Sequence, residues 1–172
     1  MKQCLVAILL VAPVIAGCAK TPAYDVVIRH GTIYDGTGAA GRVADLAILN
    51  DRIAAIGDLG RERGRDEVDA SGLDVAPGFI NMLSHSETSL IEDGRSQGAL
   101  RQGVTLEVFG ESSMGPITEA MKNDQMERQG DITFNITWNT LGGYLDHLIA
   151  RGVSTNVASF VSAATEIGRA HV

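Results

Sequence analysis

Residues 73–85 read LDVAPGFINMLSH, and residues 103–111 read GVTLEVFGE. Each is an apolar run that ends in a side chain able to bind a metal, His85 in the first and Glu111 in the second. A helical stretch separates them, so residues 73–111 form one strand–helix–strand unit. In α/β barrels the chemistry sits at the C-terminal ends of the strands. These two side chains are therefore the first candidates for function.

The same alternation continues toward the C-terminus. Residues 76–82 read as a buried strand after Pro77-Gly78. Ser96 is placed to cap a short helix that runs through Leu100 and Arg101, with Gly103 at its end. Residues 104–109 are the next strand. Pro116 suits an early helical position, and Ile117, Ala120 and Met121 give that helix an apolar face. Thr140 caps a clearer helix, in which Leu141, Tyr144, Leu145 and Leu148 follow helical spacing and Gly152 ends the run. Residues 153–161 are a third strand. Strand, helix, strand, helix, strand predicts an α/β fold with a parallel sheet and right-handed crossovers.

Upstream the pattern is all-β. Residues 24–30 have strand composition, Gly31-Thr32 begins a turn, and residues 32–34 are a brief second strand. Residues 35–38 are a loop. Residues 44–49 and 52–56 form a hairpin around Asn50-Asp51. Residues 60–66 are a charged loop. Asp35 and Asp45 read as turn and edge residues, and His30 as a surface histidine.

The chain has 172 residues, 45% of them hydrophobic, and a net charge of −7. That balance argues against nucleic acid as a partner, since phosphate binding needs clustered Lys and Arg. Lys2 and the apolar run of residues 5–15 form an export signal over residues 1–17, too short to span a membrane. Ile15-Ala16-Gly17-Cys18 resembles the lipobox of bacterial lipoproteins. The resemblance implies a lipidated Cys18, a linker over residues 18–23 and a periplasm-facing, membrane-anchored protein. The alternative is ordinary cleavage nearby, with Cys18 left as a free thiol. Cys4 lies inside the signal, so no disulfide is expected and no cysteine remains as a metal ligand.

Taken in order, the β-module, APGFIN, GVTLEVFGE and residues 140–165 resemble the amidohydrolase superfamily, in its N-acyl-D-amino-acid deacylase (D-aminoacylase) branch. The resemblance implies that residues 24–72 are part of a composite β-sandwich. It implies that residues 73–165 are the first three strand–helix units of a TIM-type (β/α)8 barrel. It further implies one or two zinc-type ions, a metal-activated water, and a small N-acylated D-amino acid as substrate. Glu111 stands where D-aminoacylases carry a metal-binding cysteine, and His85 is a weaker second ligand. Two positions depart from the family. Leu83 replaces the first histidine of the usual His-x-His, and Asn81 stands where Asp is common.

Glu107 falls on the same side of its strand as Glu111 by strict alternation. It reads as a second ligand or as a buried acid with a basic partner, unless a bulge at Gly110 breaks the pattern. Backbone N–H groups near Ser112, Ser113 and Gly115 are candidates for a substrate carboxylate. Arg95 and Arg101 read first as surface-helix residues, His147 as solvated, and Trp138 as packing at a helix entry.

A closed barrel takes about 250 residues, and residues 73–172 leave room for three units. The expectation is an N-terminal fragment, inactive alone, of a hydrolase acting on a C–N bond. Residues 166–172, EIGRAHV, match the conceptual translation of a common sequencing-adapter oligonucleotide and are expected to be non-native, so His171 receives no weight. Two alternatives stand beside this reading. One is a cyclic-amide hydrolase of the same superfamily. The other is a catalytically silent, ligand-binding lipoprotein. Oligomeric state is not legible.

Overall fold

A computed structural model describes residues 22–111 and 113–170. The export signal, Cys18, Ser112 and His171 lie outside the described residues. The chain divides into two compact units, one ending at Ala76 and the other beginning at Pro77.

The first unit is one mixed sheet. Its strands are β1 (Tyr24–Ile33), β2 (Arg42–Leu49), β3 (Arg52–Gly57), β4 (Gly64–Asp69) and β5 (Asp74–Val75). The order is β3-β2-β1-β4, with β5 also on β1. β2 runs antiparallel to both β1 and β3, whereas β4 and β5 run parallel to β1. The expected hairpin is present. Asn50 and Asp51 have φ of 50° and 60°, the left-handed pair that a two-residue turn between twisted strands requires.

Three expectations change in this unit. Gly31-Thr32 is not a turn. β1 continues through it, with His30 at φ 58° and a register shift between Ile28 and Gly31, which is a bulge. A Cβ on Gly31 would lie 2.6 Å from Val75 Cγ2, so a side chain there would have to displace Val75 of the paired β5. The supposed charged loop of residues 60–66 leads into β4, an exposed strand whose charges suit a sheet edge. Asp45 is not an edge residue. It is buried and paired with Arg29 at 2.9 Å, and it accepts the His30 N–H at 3.0 Å. Burial pushes its carboxyl up, but these bonds outweigh burial and hold it below the usual range. β5 pairs with β1 and so belongs to the first unit, which ends at Ala76.

The second unit holds a three-stranded parallel sheet of order β6-β7-β8, formed by β6 (Phe79–Asn81), β7 (Val104–Phe109) and β8 (Asn156–Ser159). Helices α1 (Ser89–Glu92) and α2 (Gln97–Leu100) join β6 to β7. Helices α3 (Glu119–Glu127) and α4 (Leu141–Arg151) join β7 to β8, and α5 (Ala163–Ala170) follows, crossing the expected boundary at residue 165. Thr140 caps α4 as its sequence suggests, accepting the Gly143 N–H at 3.0 Å. Tyr144 and Leu148 of α4 are fully buried against Leu90, Ile91, Phe109 and Trp138. Trp138 Nε1–H donates to the Met114 carbonyl at 2.7 Å, which fits its packing role.

Other details differ from expectation. β6 is exposed rather than buried, with Phe79 and Ile80, and Met82 just beyond the strand, all more than half open. β8 is shorter than residues 153–161. α3 starts at Glu119 behind a Thr118 cap, so Pro116 precedes the helix. Ser96 does not cap α2 through its side chain. No described helix is long and apolar enough to cross a membrane.

Candidate functional site

Beyond β6 the chain turns over the end of β7. The Ser84 N–H donates to the Val108 carbonyl at 2.9 Å, which fixes the loop there. His85 Nε2 then lies 3.3 Å from Glu111 Oε2, and both side chains are about two-thirds exposed. The two residues singled out in the sequence thus meet in space. Leu83, at the position of the missing histidine, is exposed. The Asn81 side chain accepts the Leu83 N–H at 3.3 Å.

Strict alternation fails between the two glutamates. Gly110 has φ 150° and lies so close to Phe160 that a Cβ would come within 2.8 Å. Glu107 therefore turns in, 1% exposed, while Glu111 turns out. The partners of Glu107 are hydroxyls and not a basic group. It accepts Ser84 Oγ–H at 2.6 Å, Ser96 Oγ–H at 2.8 Å and Thr155 Oγ1–H at 3.1 Å. Burial raises its carboxyl, but these hydroxyl bonds outweigh it and hold the group below the ordinary carboxylate range. With its oxygens so occupied, Glu107 is a structural acid rather than a free ligand.

Sequence reasoning passed over Glu87. It is 6% exposed, and its Oε1 is the single buried side-chain atom without a hydrogen-bond partner among the described residues. Burial, together with the charges of Glu107 and Glu111, pushes its carboxyl up against the opposing pull of His85. The only cue to it in the sequence was its position two residues after His85. Tyr144, in the core of α4, donates its hydroxyl to the Glu87 carbonyl at 2.9 Å.

Other side chains of the candidate residues are engaged elsewhere. Ser113 is buried, with its Oγ–H on the Gly115 carbonyl at 2.8 Å, and it accepts the Ser162 N–H at 3.2 Å. Arg95 forks onto Asp93 at 2.8 and 2.7 Å, and Arg101 binds Gln97 at 3.1 Å. His147 is not solvated as expected but half-buried, its ring 4.9 Å from that of Trp138. His30 lies exposed, 3.5 Å from Asp69, as a surface histidine would. A cavity of about 280 Å³ opens beside Glu111, lined also by Met121, Asp124, Gln125, Ser162 and Thr165.

An imidazole and a carboxylate are donors of the kind that zinc takes, and a catalytic zinc uses three protein ligands. Among the described residues no three His, Cys, Asp or Glu side chains converge as a metal site. His85 and Glu111 therefore do not by themselves fit a zinc ion.

No family model matches the chain. It is 36% identical to a D-aminoacylase of Alcaligenes xylosoxydans xylosoxydans over 147 residues, which covers 83% of this chain and 30% of that protein. It is 41% identical to an N-acyl-D-glutamate deacylase of the same organism over 86 residues, or 50% of this chain and 18% of the relative. Its fold superposes on a crystal structure of D-aminoacylase with a TM-score of 0.71 and 32% identity, covering 85% of this chain and 31% of the other. The N-acyl-D-glutamate deacylase from Bordetella bronchiseptica, solved with zinc and a phosphonate inhibitor, gives 0.71 at 34% identity, covering 83% and 30%. The chain spans about 30% of the length of the D-aminoacylase it matches.

Proposed function

This chain is homologous over about 83% of its length to D-aminoacylases and to N-acyl-D-glutamate deacylase of the amidohydrolase superfamily, and we propose that it is the N-terminal part of a hydrolase that cleaves the amide of an N-acyl-D-amino acid. In this reading the parallel sheet of the second unit begins a (β/α)8 barrel, and the first unit is part of a composite β-sandwich. The observation that carries the proposal is the meeting of His85 and Glu111 beyond the ends of adjacent parallel strands, where barrels of this kind place their chemistry.

In the whole enzyme, His85 and Glu111 would contribute to a divalent-metal site, with zinc as the ion, whose other ligands come from elsewhere. A divalent ion held there by these and further ligands would supply Lewis-acid polarisation of an amide carbonyl. Glu111 and the imidazole of His85 face each other at 3.3 Å, and the cavity beside Glu111 gives room for part of a substrate. Deacylation of an N-acyl-D-amino acid by the full-length parent, followed by release of the free D-amino acid, tests the activity. Glu111→Ala should lower kcat/KM by more than the roughly 10–100-fold typical of outer partners of a metal site. An unchanged rate would remove Glu111 from the machinery. The 172-residue chain alone is expected to be inactive, because its described residues bring together only two donors.

Leu83, apolar and exposed where a ligand would stand, favours a second reading. The whole protein would be a catalytically silent lipoprotein that binds a small ligand at the same strand ends. Metal content of the full-length protein separates the two, with stoichiometric zinc expected for the hydrolase. In either case the protein is proposed to be exported and anchored in a membrane through a lipidated Cys18.

A further inference from the structure

We propose that Glu107 and Tyr144 are positioning residues, which clamp the loop of residues 84–87 from opposite ends and so present His85 to Glu111. The inference rests on the geometry of this loop and does not need the proposed reaction to be correct.

Two independent sets of contacts converge on the loop. At its start, the Ser84 hydroxyl donates to Glu107 at 2.6 Å and its N–H donates to the Val108 carbonyl at 2.9 Å. Ser84 Oγ also lies 3.1 Å from Ser86 Oγ and accepts the Ser86 N–H at 3.3 Å. The residues on both sides of His85 are thus tied to one buried carboxylate. At the loop's end, the Tyr144 hydroxyl holds the Glu87 carbonyl at 2.9 Å. Ser84, Glu87, Glu107 and Tyr144 are all buried, while His85 between them is exposed. A long, exposed imidazole would otherwise sample many rotamers, and exposed ion pairs contribute little to holding one. The order has to come from the backbone on either side. Glu107 has a further consequence. Through Ser96 and Thr155 the same carboxylate ties the loop to the entry of α2 and to the approach of β8.

The test uses the isotope-labelled full chain, with the His85 ring resonances identified by their loss in His85→Gln. Ser84→Ala and Tyr144→Phe each delete one hydroxyl that touches the loop. Thr155→Val deletes a hydroxyl from the same Glu107 carboxylate without touching the loop. Urea midpoints for all three give the stability loss. The proposal expects the two loop variants to shift or broaden the His85 resonances beyond anything seen in Thr155→Val at a comparable stability loss. It is overturned if His85 is unmoved in both loop variants, or if Thr155→Val moves it equally. Glu107→Gln should resemble Ser84→Ala. If it fails to fold, the single-hydroxyl variants still decide. The readout is independent of hydrolysis and of metal, so failure of the enzymatic reading leaves it intact.

Discussion

Glu107 and Glu111 are chemically alike and lie on one strand run, yet their environments are opposite. An exposed carboxylate keeps its water. A buried one must replace that water with donors, and Glu107 does so with three hydroxyls from three separate segments. Removing Glu107 leaves those hydroxyls without their acceptor and opens a void. Glu107→Ala should cost about 3 kcal/mol or more in urea unfolding. Glu111→Ala should stay within about 0.5 kcal/mol, as exposed positions do. Equal losses would contradict the burial described. The sequence showed that a glycine at position 110 could break alternation, but not that it would. The deciding partners, Ser84, Ser96 and Thr155, are polar residues of no evident pattern. Ser96 was instead read as a helix cap, because a serine before a helical stretch usually serves as one. Glu87 was missed for a related reason, since nothing local marks a glutamate as buried.

Elements carried by periodicity were legible, and elements carried by pairing were not. α4 announces itself through its apolar spacing, its threonine cap and its closing glycine. Thr140→Ala should cost about 1 kcal/mol by removing the acceptor for the Gly143 N–H. A smaller change, under about 0.3 kcal/mol, would show that the cap is replaced by water. The β2–β3 hairpin was equally legible from Asn50-Asp51. Both turn residues sit at positive φ, so Asp51→Gly relieves a left-handed conformation that costs a non-glycine residue about 1 kcal/mol. Part of that gain is offset by the greater entropy of the unfolded chain. The expected result is a slightly raised or unchanged thermal midpoint. Residues 64–66, the start of β4, read as the end of a charged loop because they show no apolar alternation, and it is the parallel register with β1 that makes them strand. Residues 76–82 read as buried because the run is mostly apolar, yet β6 within it is an open edge of its sheet.

At the scale of the molecule, the first unit carries a pH-sensitive buried pair. In it, Asp45 and Arg29 form a buried pair. The folded-state pKa of Asp45 lies below its ordinary value of 3.8. Its contribution to stability is therefore fully present above that value and is lost as pH falls through the lower, folded one. The expected outcome is that wild type loses stability over this acid range, whereas Asp45→Asn is less stable near neutral pH and much flatter on acidification. Parallel pH profiles for the two proteins would reject the linkage. The proposed membrane attachment belongs to the whole-molecule scale as well. In a lipoprotein-processing bacterium, Cys18→Ala should move the protein from the membrane to the soluble fraction. Retention in the membrane would exclude a lipid at that residue. The change of pattern near residue 73 is visible in the sequence, whereas the pairing of β5 with β1 is a long-range contact that no local pattern marks.

The buried indole of Trp138 has one more use. It is the chain's only tryptophan, it belongs to the second unit, and it lies against the rings of Tyr144 and His147. Tyr24 and Tyr34 are the aromatic hydroxyls of the first unit. Fluorescence excited at the red edge of the absorption band would thus report the α/β unit alone, while acid damage around Asp45 would pass unseen unless tyrosine emission were recorded as well.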